Sequence, residues 1–214
     1  MTLSERQRQK KLEKNKKKRQ LMKKIGSMGF GARSTAASYA KYPLYECLVP
    51  SGLFETGIGR IVATRQPPSG EIALSAFVVD VFCLGVKNAF FKVVSKEVYH
   101  NTIMPRLVET HEGQHFENTH PSCMRKLIEG AVDYAGDLGF SPHPDYKKVK
   151  AIFGDIDAGA CPVKYVFGQE GMPMYIQGPN ESITQAKKIV DQLAKRCGEG
   201  KYHYLVMLDD GSSE

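Results

Sequence analysis

The sequence predicts an α+β domain over residues 40–208, mainly antiparallel sheet with two or more helices packed on it. A basic N-terminal tail, helical or disordered, precedes it. Three observations carry this reading. Strand-like runs separated by Pro-, Ser- and Gly-containing turns fill residues 42–86, two amphipathic helical patterns fill much of the second half, and the positive charge is concentrated at the start of the chain. Residues 1–25 form the tail, 26–39 a linker, and 40–208 the domain, divisible into 40–140 and 141–208.

The chain of 214 residues is 42% hydrophobic and 25% charged, the balance of an ordinary globular protein. No apolar run approaches the roughly 20 residues that span a bilayer. The opening residues are lysine-rich with no apolar block, which does not fit a signal peptide. The five cysteines, at 47, 83, 123, 161 and 197, are widely spaced with no C-x-x-C pair, so reduced cytoplasmic thiols are expected rather than a disulfide framework or a zinc ribbon.

The charge divides unevenly. Residues 1–24 hold eleven Lys and Arg against Glu5 and Glu13, a net of +9; the whole chain is +7, so the remainder sums to −2. Leu3, Leu12, Leu21 and Met22 make no apolar stripe, which excludes an amphipathic membrane helix. Lys10, Lys11, Lys14, Lys16, Lys17, Lys18, Arg19, Lys23 and Lys24 are the residues expected to meet phosphates if the tail binds RNA or the ribosome. The bland alternative is a solvated charge run. Gly26 to Ser38 is rich in glycine and serine and reads as linker.

Tyr42 to Pro50 reads as the first strand and Gly57 to Gln66 as the second. Pro67-Pro68-Ser69-Gly70 supplies the turn into a third, Glu71 to Val86, which is expected to pair with the second as an antiparallel hairpin. Ala76 to Leu84 is apolar everywhere except Asp80, so this strand is expected to be buried on both faces with a helix on one of them. A buried carboxylate must be paired or hydrogen-bonded. Asp80 is either structural, bound to Lys87 or to the backbone of the following turn, or a strand-end metal ligand or general base; the structural account is the expected one. Cys83, among apolar neighbours, reads as a core residue rather than a nucleophile.

The segments Tyr42-Pro43-Leu44-Tyr45-Glu46-Cys47 and Val79 to Asn88, with the later Ile128-Glu129-Gly130-Ala131, Ala135, Gly139 and Pro142-His143, resemble a family of uncharacterised bacterial proteins. The resemblance covers residues 40–180. It implies a bacterial cytosolic protein and brings no activity, cofactor or catalytic residue.

Ser95 to Val108 reads as a helix interrupted by Pro105. His111-Glu112-Gly113-Gln114-His115 matches H-E-x-x-H, with His120 as a third potential ligand. Residues 109–120 hold one apolar member, Phe116, and a mid-motif glycine, so the stretch reads as a polar surface loop without zinc. Pro121 to Leu138 is the clearest helix: Met124, Leu127, Ile128, Ala131, Val132, Ala135 and Leu138 form one apolar face, with Pro121 at its start and Gly139 at its end. Arg125, Glu129, Asp133 and Asp137 form a solvated row with an Arg125–Glu129 pair. His143 and Asp145, in a proline-fixed segment, are candidates to join Asp80 and Lys87. Asp155 and Asp157 are weak metal candidates. Tyr146 to Phe153 reads as a helical turn and Lys164 to Gln177 as a second hairpin about Gln169-Glu170-Gly171. A helix from Ser182 to Cys197 opens on a Ser182/Gln185 capping box, and Lys201 to Leu208 reads as a last strand.

The expected function is that of a non-enzymatic, cytoplasmic RNA- or ribosome-associated or adaptor protein with no cofactor and no membrane partner. The alternative is a metal-dependent hydrolase, perhaps a nuclease, in which Asp80, Lys87, His143 and Asp145 act with a divalent metal.

Overall fold

Residues 34–109, 115–179 and 181–206 are described by the structure, a computed structural model. From Thr35 onward they belong to one compact unit. The end of the segment read as linker is already part of it: helix α1 (Ala36–Tyr39) is closed by a Thr35/Ser38 capping box and buries Ala36.

Strands β1 (Leu44–Pro50), β2 (Ile58–Arg65) and β3 (Ile72–Asp80) follow the expected boundaries closely, with a short helix α2 (Leu53–Thr56) between the first two. The third predicted strand is two. β3 ends at Asp80, Val81 to Leu84 turn the chain, and β4 (Gly85–Val94) returns antiparallel, so that Asp80 pairs with Gly85. After α3 (Lys96–Val98), a π-helical turn (Tyr99–Ile103) and α4 (Met104–Glu109), β5 (Phe116–Asn118) joins from within the stretch read as loop. The result is a five-stranded antiparallel sheet in the order β4-β3-β2-β1-β5. In the π turn the Met104 N–H bonds back to Tyr99 C=O. This local widening precedes Pro105, whose ring lacks an N–H and crowds the preceding carbonyls of a regular helix.

Alternation along the strands builds two cores. Ile61, Ala63, Phe77 and Val79 face helix α5 (Pro121–Asp137), the short helix α6 (Tyr146–Val149) and the 3-10 turn Lys150–Phe153. Val62, Leu74 and Ala76 face the opposite way, toward Tyr99, Ile103, Met104 and Leu107. Both faces of the sheet thus carry helix, one more than expected. Helix α5 meets its prediction: Met124, Leu127, Ile128, Ala131 and Ala135 are buried, and Arg125 pairs with Glu129 at 3.1 Å.

Arg65, 5% exposed, is spent on architecture. Its guanidinium donates to the carbonyls of Ile152 (2.7 Å), Phe153 (2.9 Å) and Tyr42 (2.6 Å), satisfying backbone acceptors at the end of the 3-10 turn. Burial lowers its pKa.

Two expectations are corrected in the second half. The cysteines are not all free: Cys123 at the start of α5 and Cys161 form a disulfide, while Cys47, Cys83 and Cys197 remain thiols. Nor do residues 164–177 form a strand hairpin. The turn at Gln169–Met172 is present as a single bridge, but Tyr165 and Phe167 serve to pack on Phe54. Strand β6 (Met174–Ile176) pairs in parallel with β7 (His203–Leu205), joined by helix α7 (Ile183–Cys197). Parallel neighbours need such a crossover. The Ser182/Gln185 capping box of α7 is present. No described helix is long and apolar enough to cross a membrane.

Candidate functional site

The site begins with the turn between β3 and β4. Its residues, Val81-Phe82-Cys83-Leu84, are apolar, so nothing in their side chains satisfies the turn's amides. Asp80 does: its Oδ1 accepts from the N–H of Phe82 (3.0 Å) and of Cys83 (2.9 Å). The outward backbone groups are taken by distant chain, Val81 N–H donating to Gly57, and Val81 and Phe82 carbonyls accepting from Gly168 and Met174. Gly85 closes the turn with φ +64, and a Cβ there would lie 2.8 Å from the Ala131 carbonyl of α5. Only glycine combines that conformation with that approach.

Two residues on, the ladder steps from Val78 opposite Asn88 to Val79 opposite Val86, leaving Lys87 as an extra residue in a bulge. Bulges re-aim side chains. Here the Lys87 ammonium meets Glu181 at 2.5 Å, just before the N-cap of α7. Glu181 also accepts from the Tyr175 hydroxyl (2.8 Å) and the Gly178 N–H (2.9 Å). Burial works to raise the Glu181 pKa, but the hydrogen bonds from Lys87, Gly178 and Tyr175 outweigh it, and the carboxyl is held below its ordinary value. Asp80 goes the other way. Burial pushes it up to about 6, against the opposing pull of Lys87 and of the turn amides. Burial also raises the Cys83 thiol, with Asp80 and Cys197 adding to it. That environment suits an inert core cysteine, as expected, not a thiolate.

Asp80 and Lys87 line a cleft of about 170 Å³ whose walls include Ile58, Phe82, Met174, Ile176 and Pro179. Small-molecule sites are usually upward of about 300 Å³. The cleft has room for little more than one side chain of a partner.

The other candidates are engaged elsewhere. The His143 N–H donates to the Val86 carbonyl, which sets its backbone beside β4, but its ring turns to its own loop, where Nδ1 accepts from the Asp145 N–H at 3.2 Å. Asp145 pairs with Lys148 at 3.7 Å. Asp155 and Asp157 are exposed, and Asp157 caps the 3-10 turn Ala158–Ala160 through the Gly159 N–H. Among the described residues no group of three or more His, Cys, Asp or Glu is placed to hold a metal ion.

Of the H-E-x-x-H segment, His111 to Gln114 lie outside the described residues. His115 contacts Ser51 (3.2 Å) and Glu117 (3.6 Å), and His120 caps α5 by accepting from Ser122 N–H. The cationic tail positions from Lys10 to Lys24 also lie outside the described residues.

Sequence reasoning missed Glu181 and Tyr175, which complete the Lys87 network. Glu181 sits in a Gly-Pro-Asn-Glu turn ahead of a capping serine, where an acidic residue reads as helix-start chemistry. Its partner Lys87 is remote in sequence, so no local signal joined them. Tyr134 was missed too. Its hydroxyl is buried with no hydrogen-bond partner among the described residues, against Gly168.

No family model, no curated protein and no solved structure matches this chain.

Proposed function

We propose that this is a non-enzymatic, cytoplasmic RNA- or ribosome-associated protein whose basic tail supplies phosphate affinity and whose α+β body presents it. The observation that carries this is the partition of charge: +9 in residues 1–24, against −2 for the rest of a chain that totals +7. Such a tail neutralises phosphates and releases their counterions, giving affinity that falls steeply with salt.

The geometry at Asp80 supports a binding role over hydrolysis. Its Oδ1 serves the turn's amides, Lys87 serves Glu181, and His143 and Asp145 serve a neighbouring loop. A hydrolase needs those groups converging on a space for substrate. In the cytoplasm the Cys123–Cys161 bond would be exposed to the reducing thiol pool, so this placement makes it redox-dependent.

Deleting residues 1–24 is expected to abolish RNA binding at physiological salt together with its salt dependence, read by fluorescence anisotropy across a salt series. A truncated protein that binds as tightly as the full chain overturns the proposal.

A further inference from the structure

Outside the tail, cations are mostly neutralised where they stand. Lys87 pairs with Glu181, Arg125 with Glu129, Lys148 with Asp145 and Lys150 with Glu129. Helix α7 departs from this pattern. Lys187, Lys188 and Lys195 are exposed, and none is ion-paired among the described residues. At 3.6 residues per turn the three fall within an arc of about 100°, shared with one acid, Asp191. The opposite side of the helix buries Ala186 and Leu193.

Strand β7 returns directly beside this helix. Tyr202 and Val206 pack in the same cluster as Ala186 and Leu193, so Tyr204, between them on the strand, points to the α7 side of the ribbon. Its ring stacks on Tyr202, with centroids 6.2 Å apart and planes 26° apart, yet remains 56% exposed. Unpaired lysines spaced along a rigid helix, next to an exposed and pre-oriented aromatic ring, are what single-stranded RNA uses: cations for the backbone, a π-face for a base. A membrane surface would ask for apolar residues along the lysine-bearing arc, and that arc has none.

We propose that the exposed face of α7 is a second RNA-contacting surface, where Lys187, Lys188 and Lys195 hold the phosphates of a single strand and Tyr204 stacks on a base. This rests on the reading of the protein as an RNA binder: the tail provides most of the affinity and α7 fixes the strand on the body.

The test uses the full-length chain and a labelled oligouridylate, titrated over a salt series. Replacing Lys187, Lys188 and Lys195 by Ala should lower the slope of log affinity against log salt by about 2, at roughly 0.7 per single-strand phosphate contact. Alanine at exposed helical positions keeps the helix, and an unchanged melting temperature verifies it. Tyr204→Ala should weaken binding about tenfold with the slope unchanged, as loss of stacking requires. The control, Lys147→Ala with Lys148→Ala, should change neither. If the α7 variant keeps the parent's slope and affinity, or the control loses as much, the α7 surface is refuted while the tail reading stands. If the parent binds no oligouridylate, both readings fall. Binding to phosphatidylserine vesicles that needs the α7 lysines, with no binding to RNA, overturns the proposal in favour of a membrane surface.

Discussion

Lys87 stands between two carboxylates whose ionisation bears on the fold with opposite sign. Glu181 has a lowered pKa, so its contribution is present above its unfolded value and lost as pH falls through the lowered one. Asp80 has a pKa raised from 3.8 to about 6, so its contribution is full below the unfolded value and lost as pH rises through the folded one. A shift of this size corresponds to about 3 kcal/mol. The turn keeps a carboxylate there because only an acceptor on Asp80 reaches the Phe82 and Cys83 amides. In Asp80→Asn the amide oxygen can still accept from both, without a charge to desolvate. The expected result is that the parent's melting temperature, relative to that of Asp80→Asn, falls as pH is raised from 4 to 7. If the difference between the two proteins stays constant over that range, Asp80 is not titrating there. Asp80→Ala, which leaves the two amides unserved, should lose about 1–3 kcal/mol at any pH.

At the scale of elements, the Cys123–Cys161 bond ties the first turn of α5 to the loop that carries Tyr165 and Phe167 onto Phe54. It closes a loop of sequence separation 38, for which restriction of the unfolded chain gives about 3–4 kcal/mol. Cys161→Ser is expected to melt lower than the parent in oxidising buffer and level with it in a strong thiol reductant. Equal melting in both buffers would mean that the bond adds nothing. This pairing was not legible in the sequence, because five scattered cysteines with no motif give no basis for choosing two. The β3–β4 turn was hidden for another reason. Turns are recognised by polar and small residues, and this one is apolar because later chain covers it. Its two signals were in view at the flanks, Asp80 as amide acceptor and Gly85 at positive φ. Strand β5, three residues within a polar stretch, gave no alternation to detect. The 164–177 stretch did alternate, but Tyr165 and Phe167 answer to ring packing rather than to a partner strand. What was legible were the long periodic elements: β1, β2, α5 and α7 follow their patterns because burial alone dictates their spacing.

At the scale of the molecule, β6, α7 and β7 form a lid over the far end of the sheet. Cys83, Leu138 and Tyr175 share a cluster with Ala186 and Leu193, and Leu84 and Tyr134 pack against it. Ending the chain after Pro173 should leave Cys83, Leu84 and Leu138 uncovered. The truncated protein is expected to bind a hydrophobic dye and to self-associate on gel filtration. A dye-silent monomer would show that the sheet does not need its C-terminal cover. The same arrangement has a consequence for the order in which the protein comes off the ribosome. The β3–β4 turn emerges early, but the helix that covers it follows about 120 residues later, on the order of 10 s at ordinary elongation rates. For that interval an apolar hairpin tip is held in shape only by Asp80, and the nascent chain carries its stickiest surface at the point where its own last segment must dock.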